Sequence, residues 1–138
     1  GHTEKTADHI ARQLAVNGIR NIRVFNVSNT HPSFILKEIW KYNGIVLGSC
    51  SYNTGMHPNM HHLCHEIEIM QPGNKKAFLF GGYSWSGGGL KNLRLFAQNM
   101  SDKHKWEVQS PGIEIPGNPT AKALEGLNDL IATYAATL

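Results

Sequence analysis

The sequence predicts an α/β domain whose strands form a parallel sheet that is covered by helices on both faces. Three observations favour this class. Strand-like runs alternate with stretches of helical periodicity, the run at 44–48 is apolar without alternation, and glycine or proline marks most boundaries. An apolar run without alternation is typical of a strand that is buried on both faces. Strands that are separated by helices imply parallel pairing with right-handed crossovers.

The predicted elements alternate along the chain, beginning and ending with a helix. Apolar residues at helical spacing predict a first helix over 7–15, closed by Asn17-Gly18. A strand is predicted at 22–27, and Pro32 begins the second helix. The remaining predictions are strands at 44–48 and 76–80, helices at 58–70 and 90–100, a broken edge strand within 106–115, and a final helix over 124–138.

A doubly wound sheet begins with a strand, whereas this sequence begins with a helix. In the strand order 2-1-3-4-5, the first strand is central and lies between the second and the third. We therefore expect about ten or more residues of the natural domain, including its first strand, to precede Gly1.

Composition narrows the range of functions. The 138 residues suit one domain, and no apolar run reaches the roughly 18 residues that span a bilayer. Two cysteines, Cys50 and Cys64, without a secretory signal favour a reducing cytoplasm over a disulfide framework. The net charge is +3, but the basic residues are scattered, which disfavours a nucleic acid as partner, and no membrane partner is predicted either.

Two loops that follow predicted strands carry the functional signal. Residues 49–58 read Ser-Cys-Ser-Tyr-Asn-Thr-Gly-Met-His-Pro, and residues 81–89 read Gly-Gly-Tyr-Ser-Trp-Ser-Gly-Gly-Gly. Both stand at carboxyl ends of strands, where parallel sheets bind ligands, and their aromatic residues suit a flat conjugated ligand held between rings. The opening Gly1-His2-Thr3-Glu4 precedes a helix and suits a phosphate at its N-terminus.

These three segments resemble the flavodoxin domain of flavodiiron proteins, also called A-type flavoproteins, and the resemblance covers nearly the whole chain. It implies a flavodoxin-like three-layer α/β/α sandwich with a parallel sheet of order 2-1-3-4-5, whose first strand lies outside the sequence. It also implies that residues 1–138 are one FMN-binding domain, N-terminally incomplete, from the C-terminal part of a larger flavodiiron protein.

The same resemblance assigns the residues that bind FMN. The phosphate would face the helix N-terminus and the residues Gly1, His2 and Thr3. One side of the isoalloxazine ring would be lined by Ser49, Cys50, Ser51, Tyr52, Asn53 and Gly55. The other side would be covered by Gly82, Tyr83, Ser84, Trp85, Ser86 and Gly87.

The resemblance further implies a role in electron transfer. In whole flavodiiron proteins, this domain follows a metallo-β-lactamase-like domain with a diiron centre. Electrons pass from a reductase or rubredoxin-type donor through FMN to the irons, which reduce dioxygen or nitric oxide, and the flavin of one chain serves the irons of the other in a homodimer. The present residues would then be one component of an oxidoreductase, and no catalytic residue is expected among them.

Three alternatives stay open: a free-standing flavodoxin, an FMN-dependent NAD(P)H reductase, and a flavodoxin-like module that has lost its flavin. Free-standing flavodoxins are strongly acidic, which steers them to basic partners, whereas this chain is basic.

The run from His61 to Glu66 also raises the possibility of a metal site, since His61 and His65 would share a helix face. It lacks an obvious third ligand, so no metal is predicted.

Overall fold

A parallel sheet forms the centre of the molecule, and helices cover both of its faces. A computed structural model describes residues 2–52, 55–83, 89–109, 112–116 and 118–138. The described helices are α1 (His2–Val16), α2 (Pro32–Lys41), α3 (Pro58–Met70), α4 (Gly89–His104), α5 (Ala121–Glu125) and α6 (Asn128–Ala135). The described strands are β1 (Gly44–Tyr52), β2 (Gly55–Met56), β3 (Lys76–Tyr83), β4 (Glu107–Val108) and β5 (Ile113–Pro116). No helix in these ranges is long and apolar enough to cross a membrane.

The pairing of β1 with β3 is the centre of this sheet. The two strands are parallel and stay in register from Gly44 opposite Lys76 to Cys50 opposite Gly82. On its other side, β3 pairs in parallel with β4 and then with β5. The end of β1 also pairs with β2 in antiparallel orientation, with Ser51 opposite Met56 and Tyr52 opposite Gly55. The carboxyl ends of β1 and β3 therefore lie side by side at one edge of the sheet.

Apolar side chains from β3 enter two separate cores. Ala77 and Leu79 pack on the face that α2, α3 and α4 cover, whereas Phe78 and Phe80 pack on the face that α1 and α6 cover. Successive side chains of a strand point to opposite faces, so an unbroken apolar run serves both cores. The predicted parallel sheet with two covered faces is confirmed.

The starts of α2 and α3 show how the sequence sets its boundaries. Each helix begins at the proline of a His-Pro pair, and the histidine is the N-cap residue. Proline suits the first helical position because its missing N–H is not needed there. The Nδ1 atoms of His31 and His57 accept hydrogen bonds from the backbone N–H groups of Ser33 and Asn59, each at 3.2 Å. Both predicted helix starts are confirmed, because caps and proline act locally.

The predicted strand at 22–27 is wrong. The structure has no strand there, although Ile22 packs against one core and Phe25 and Val27 against the other, as the side chains of a strand would. A strand needs a neighbour that accepts and donates main-chain hydrogen bonds. Within the described residues, no strand lies beside this segment, so its side chains follow the pattern of a strand without the main-chain pairing of one.

Other boundaries differ from the predictions in smaller ways. β1 and β3 extend to Tyr52 and Tyr83, so the first residues of both predicted loops are in strands. The final helix is divided at Gly126 into α5 and α6. His2 and Thr3 lie in the first turn of α1 rather than in the loop before it.

Candidate functional site

Three of the predicted binding segments meet at the carboxyl edge of the sheet. Cys50 in β1 lies opposite Gly82 in β3. Thr3, in the first turn of α1, places its Oγ1 atom 3.5 Å from the position that a Cβ atom on Gly82 would take. The N-terminal end of α1 therefore adjoins the ends of the two central strands, as the sequence predicted.

Neither the backbone conformation nor the packing around position 82 requires a glycine there. Its φ is not positive, and an added Cβ would meet only ordinary van der Waals contacts, 3.5 Å to Thr3 Oγ1 and 3.9 Å to the carbonyl oxygen of Ile115. The neighbouring Gly81 differs, since an added Cβ would lie 2.9 Å from the Cβ of Leu90. The space in front of Gly82 thus suits a ligand that approaches the backbone closely.

Ser49 and Cys50 take different parts at the end of β1. Ser49 is buried, and its Oγ donates to the carbonyl oxygen of Cys50 at 2.9 Å and accepts from the N–H of His57 at 3.2 Å. These bonds fix the connection between β1 and α3. Cys50 is exposed, so its side chain is available at the surface of this edge.

The N-terminal end of α1 supplies the electrostatic part of the candidate site. The first N–H groups of a helix have no partner within the helix, and the helix dipole adds partial positive charge there. α1 has 15 residues, and its first turn adjoins Gly82 through Thr3. A phosphate at this edge would find donors and a favourable potential.

Sequence reasoning missed the contribution of α4 to this edge. Gly89 was placed in the second loop, but it is the first residue of α4. An added Cβ on Gly89 would lie 3.0 Å from the carbonyl oxygen of Cys50, so α4 begins directly against the end of β1. The glycine run at 87–89 was the available signal, since close backbone approach requires glycine.

Several predicted ligand-binding residues lie outside the described residues. These are Gly1, Asn53, Ser84, Trp85, Ser86 and Gly87. For five more, only the backbone is described: His2, Ser51, Tyr52, Gly55 and Tyr83. Among the predicted site residues, Thr3, Ser49 and Cys50 have described side chains, and Gly82 is the open position beside them.

The sulfur and histidine side chains of α3 are arranged for packing and surface contacts. Cys64 is 3% exposed, and burial, with a smaller contribution from Glu68, raises the pKa of its thiol to about 12. A protonated, buried thiol is a poor nucleophile. His62 Nε2 lies 3.8 Å from Glu66 Oε1. In the part of the chain that the structure describes, no group of three or more His, Cys, Asp or Glu side chains is arranged to hold a metal ion.

Sequence comparison relates the chain to a family of flavin proteins. Residues 1–127 match the family model described as flavodoxin. The chain is 31% identical over 121 residues to the anaerobic nitric oxide reductase flavorubredoxins of Shigella flexneri and Escherichia coli. The match covers 83% of this chain and 25% of those proteins, so the chain spans about a quarter of their length.

Solved structures give the same result at the level of fold. The rubredoxin oxygen:oxidoreductase of the anaerobe Desulfovibrio gigas matches with a TM-score of 0.90 at 25% identity, over 99% of this chain and 33% of that chain. A flavodoxin from the domain Archaea matches with a TM-score of 0.84 at 22% identity, over 99% of this chain and 90% of that chain. The predicted flavodoxin-like fold and the resemblance to flavodiiron proteins are confirmed.

Proposed function

The chain belongs to the flavodoxin family, and on that basis we propose that it binds FMN at the carboxyl edge of its sheet. The observation that carries the proposal is the meeting of Thr3, Cys50 and Gly82 at that edge. An FMN site needs an anion-binding end for the phosphate and a flat, open surface for the ring. The N-terminal turn of α1 supplies the first requirement, and the ends of β1 and β3 supply the second.

The chain's own residues have distinct tasks in this proposal. The first N–H groups of α1 and the Thr3 hydroxyl bind the phosphate. Gly82 leaves its backbone accessible to the ring, and the exposed Cys50 side chain lies beside the ring. When bound, FMN supplies the electron-transfer chemistry, while the protein orients it and limits its exposure to water.

We further propose that the chain is the electron-transfer domain of a flavodiiron oxidoreductase. Its support is the 31% identity to the flavorubredoxins, together with a basic net charge of +3 that is unlike an acidic mobile carrier. The proposed partners are a diiron, metallo-β-lactamase-like domain of the parent protein, a reductase or rubredoxin-type donor, and a second chain in a homodimer. The length of those relatives beyond the matched quarter leaves room for such domains.

The proposal is tested by the absorption spectrum of the purified chain and by titration with FMN, followed by quenching of flavin fluorescence. We expect flavin absorption bands or quenching that saturates at one FMN per chain. A folded chain that neither carries nor quenches FMN would contradict the proposal. Reduction of the bound flavin by rubredoxin, without direct oxidation of NAD(P)H, would distinguish the proposed role from that of an NAD(P)H reductase.

Trp85 provides a residue-level test, with Trp40 as the matched control. Loss of an aromatic ring that stacks on the flavin should weaken FMN binding by about 1–3 kcal/mol in Trp85→Ala. Trp40 lies in α2 and is 51% exposed, so Trp40→Ala should leave FMN affinity unchanged. Equal FMN affinities for the two variants, measured by titration, would remove Trp85 from the proposed site.

A further inference from the structure

A cavity with a volume of about 340 Å³ lies between α3 and α4. Its described lining includes none of the residues that are predicted to bind FMN. Cys64 and Phe96 form its buried part, at 3% and 5% exposure, and the exposed side chains of His61 and His65 line it nearer the surface. We call this cavity the α3–α4 pocket. It brings sulfur and imidazole groups together outside the candidate flavin site.

Two sulfur atoms meet at this pocket. Cys64 Sγ donates a hydrogen bond to Met56 Sδ, and the two atoms are 3.9 Å apart. Two sulfur ligands at about 2.3 Å from one metal ion lie about 3.8 Å apart in tetrahedral coordination and about 4.0 Å apart in trigonal coordination. The two sulfur atoms are therefore already spaced as ligands of a single ion, which would take the place of the thiol proton.

The fold holds both of these residues in place. Met56 lies in β2, where it is paired with Ser51 at the end of β1. Cys64 lies in the middle of α3 and belongs to the same buried core as Leu63 and Ile67. An ion between two ligands that are already fixed requires little ordering of the chain, and this favours affinity.

His61 provides a nitrogen ligand for the same ion. It precedes Cys64 by three residues, so the two side chains share one side of α3, and both line the pocket. Its imidazole is exposed, which leaves it free to turn toward the sulfur atoms. Because this set includes a thioether, it differs from groups of His, Cys, Asp and Glu, none of which is arranged to hold an ion in the described chain.

The charges around the pocket favour a cation with a single charge. Glu68 lines it, whereas none of its described lining residues is a lysine or an arginine. A thiolate and a monovalent cation form a neutral pair, whereas a divalent ion would add a second positive charge to a buried position. Thiolate and thioether sulfur are soft ligands of the kind that bind Cu⁺, and thioether sulfur is not among the usual ligands of zinc.

We propose that the α3–α4 pocket binds one Cu⁺ ion through Met56 Sδ, Cys64 Sγ and a ring nitrogen of His61. The thiol proton passes to the solvent as the copper–sulfur bond forms, and no electron is transferred. Three ligands suit trigonal coordination, for which the expected spacing of the two sulfur atoms is about 4.0 Å.

The test measures Cu⁺ binding to the 138-residue chain in the absence of oxygen, by competition with a weak chelator that is coloured when it holds Cu⁺. Cys50 is exposed and is itself a soft ligand, so the measurement is made in a Cys50→Ser background. No FMN is added, so the result is independent of the proposed flavin site. We expect one bound Cu⁺ per chain. Failure to take Cu⁺ from the chelator, in a chain that circular dichroism shows to be folded, would overturn the proposal.

The thioether ligand is tested by two methionine variants in that background. Met56→Leu removes the sulfur atom at nearly constant volume, so the chain should remain folded. It should weaken Cu⁺ binding by at least about tenfold, since loss of a group that merely orients a metal ligand already costs that much. Met70→Leu is the matched control, because Met70 is 43% exposed at the end of α3 and does not line the pocket. Equal Cu⁺ affinities for the two variants would overturn the proposal.

The nitrogen ligand is tested by two histidine variants. His61→Gln should weaken Cu⁺ binding by at least about tenfold for the same reason. His62→Gln should leave it unchanged, because His62 does not line the pocket and its Nε2 lies 3.8 Å from Glu66 Oε1. Both histidines are exposed, so neither change should affect folding. Equal Cu⁺ affinities for these variants would overturn the three-ligand site.

Methyl resonances of methionine locate the ion within the chain. The chain has four methionines, at positions 56, 60, 70 and 100. With ¹³C-labelled methyl groups, Cu⁺ should shift the signal of Met56 until one equivalent is bound and leave the other three nearly unchanged. Zn²⁺ should leave the Met56 signal in place. An unshifted Met56 signal at saturating Cu⁺ would overturn the proposal.

Discussion

From Gly44 to Cys50, the two edges of β1 differ in strand pairing: β3 pairs along one edge, and within the described residues no strand pairs along the other. Toward β3, seven residue pairs are in register, and apolar side chains from both strands enter the two cores. Along the opposite edge, β1 faces the segment 21–28, which has strand-like side chains but, within the described residues, no strand pairing. We call these regions the packed edge (β1 with β3) and the open edge (β1 with residues 21–28). The difference shows that strand formation depends on a neighbour as much as on the strand's own residues.

The largest contrast between the two edges should appear when one side chain is truncated on each. Phe78 is 2% exposed and its ring centroid lies 5.3 Å from that of Tyr134, whereas Val24 is 56% exposed beside the open edge. Phe78→Ala should lower the free energy of unfolding by about 3–5 kcal/mol because a large cavity is left. Val24→Ala should change it by about 0.5 kcal/mol or less. Urea unfolding measures both, and equal losses would show that the open edge is as well packed as the other.

The free energy of unfolding should also fall at alkaline pH because of Cys64, which is buried in the same core as Ile45 and Leu47 of β1. Burial raises the pKa of this thiol in the folded protein to about 12 from 9.0, so the unfolded chain releases the proton first as pH rises. The stabilisation from the protonated thiol is complete below pH 9 and is lost progressively toward pH 12, by about 4 kcal/mol in total. Urea unfolding at a series of alkaline pH values measures this loss.

The two cysteines provide the control for that pH dependence. Cys64→Ala should flatten the alkaline fall in stability, whereas Cys50→Ala should leave it unchanged because Cys50 is exposed. If Cys64→Ala retained the full alkaline slope, the loss would belong to other groups. Tyr134 is one of these, because burial also raises the pKa of its phenol.

A smaller contrast is expected between two adjacent glycines at the carboxyl end of β3. Gly81→Ala should lower the free energy of unfolding by about 1–3 kcal/mol, because its new Cβ would lie 2.9 Å from the Cβ of Leu90. Gly82→Ala has room for the added methyl group and should change stability by about 0.5 kcal/mol or less. It should instead weaken FMN binding by roughly tenfold, because the methyl group fills space that the ring would occupy. Urea unfolding and FMN titration of both variants test this, and unchanged FMN affinity in Gly82→Ala would separate Gly82 from the ligand site.

The parts of the fold that could be predicted from the sequence depend on local signals. Pro58 begins α3, and Gln71, in a left-handed conformation, ends it, so the predicted bounds 58–70 match the structure. The Gly18 that closes α1 has a φ of 93°, as a helix-ending glycine should. Such signals need no information from distant residues.

The parts that could not be predicted depend on distant residues. The segment 22–27 has the composition of a strand, but within the described residues it has no strand beside it. The interruption between α5 and α6 at Gly126 and Leu127 has no local signal, since both residues keep right-handed helical angles, and Leu127 is 6% exposed in the core that α1 also lines. Of the candidate site, the sequence predicted the three segments that meet. The burial of Ser49 depends on packing that no local pattern contains, and the glycine run at 87–89 was the sole local signal that α4 starts against Cys50.

The most direct test of a flavin site at the carboxyl edge is the labelling rate of Cys50, measured during FMN titration of the chain. Cys50 is exposed and Cys64 is buried, so a thiol reagent should label Cys50 rapidly and Cys64 only on unfolding. FMN should slow labelling of Cys50 in proportion to fluorescence quenching, with saturation at one FMN per chain and no change at Cys64. Undiminished labelling of Cys50 in the folded chain at saturating FMN would contradict a flavin site at this edge.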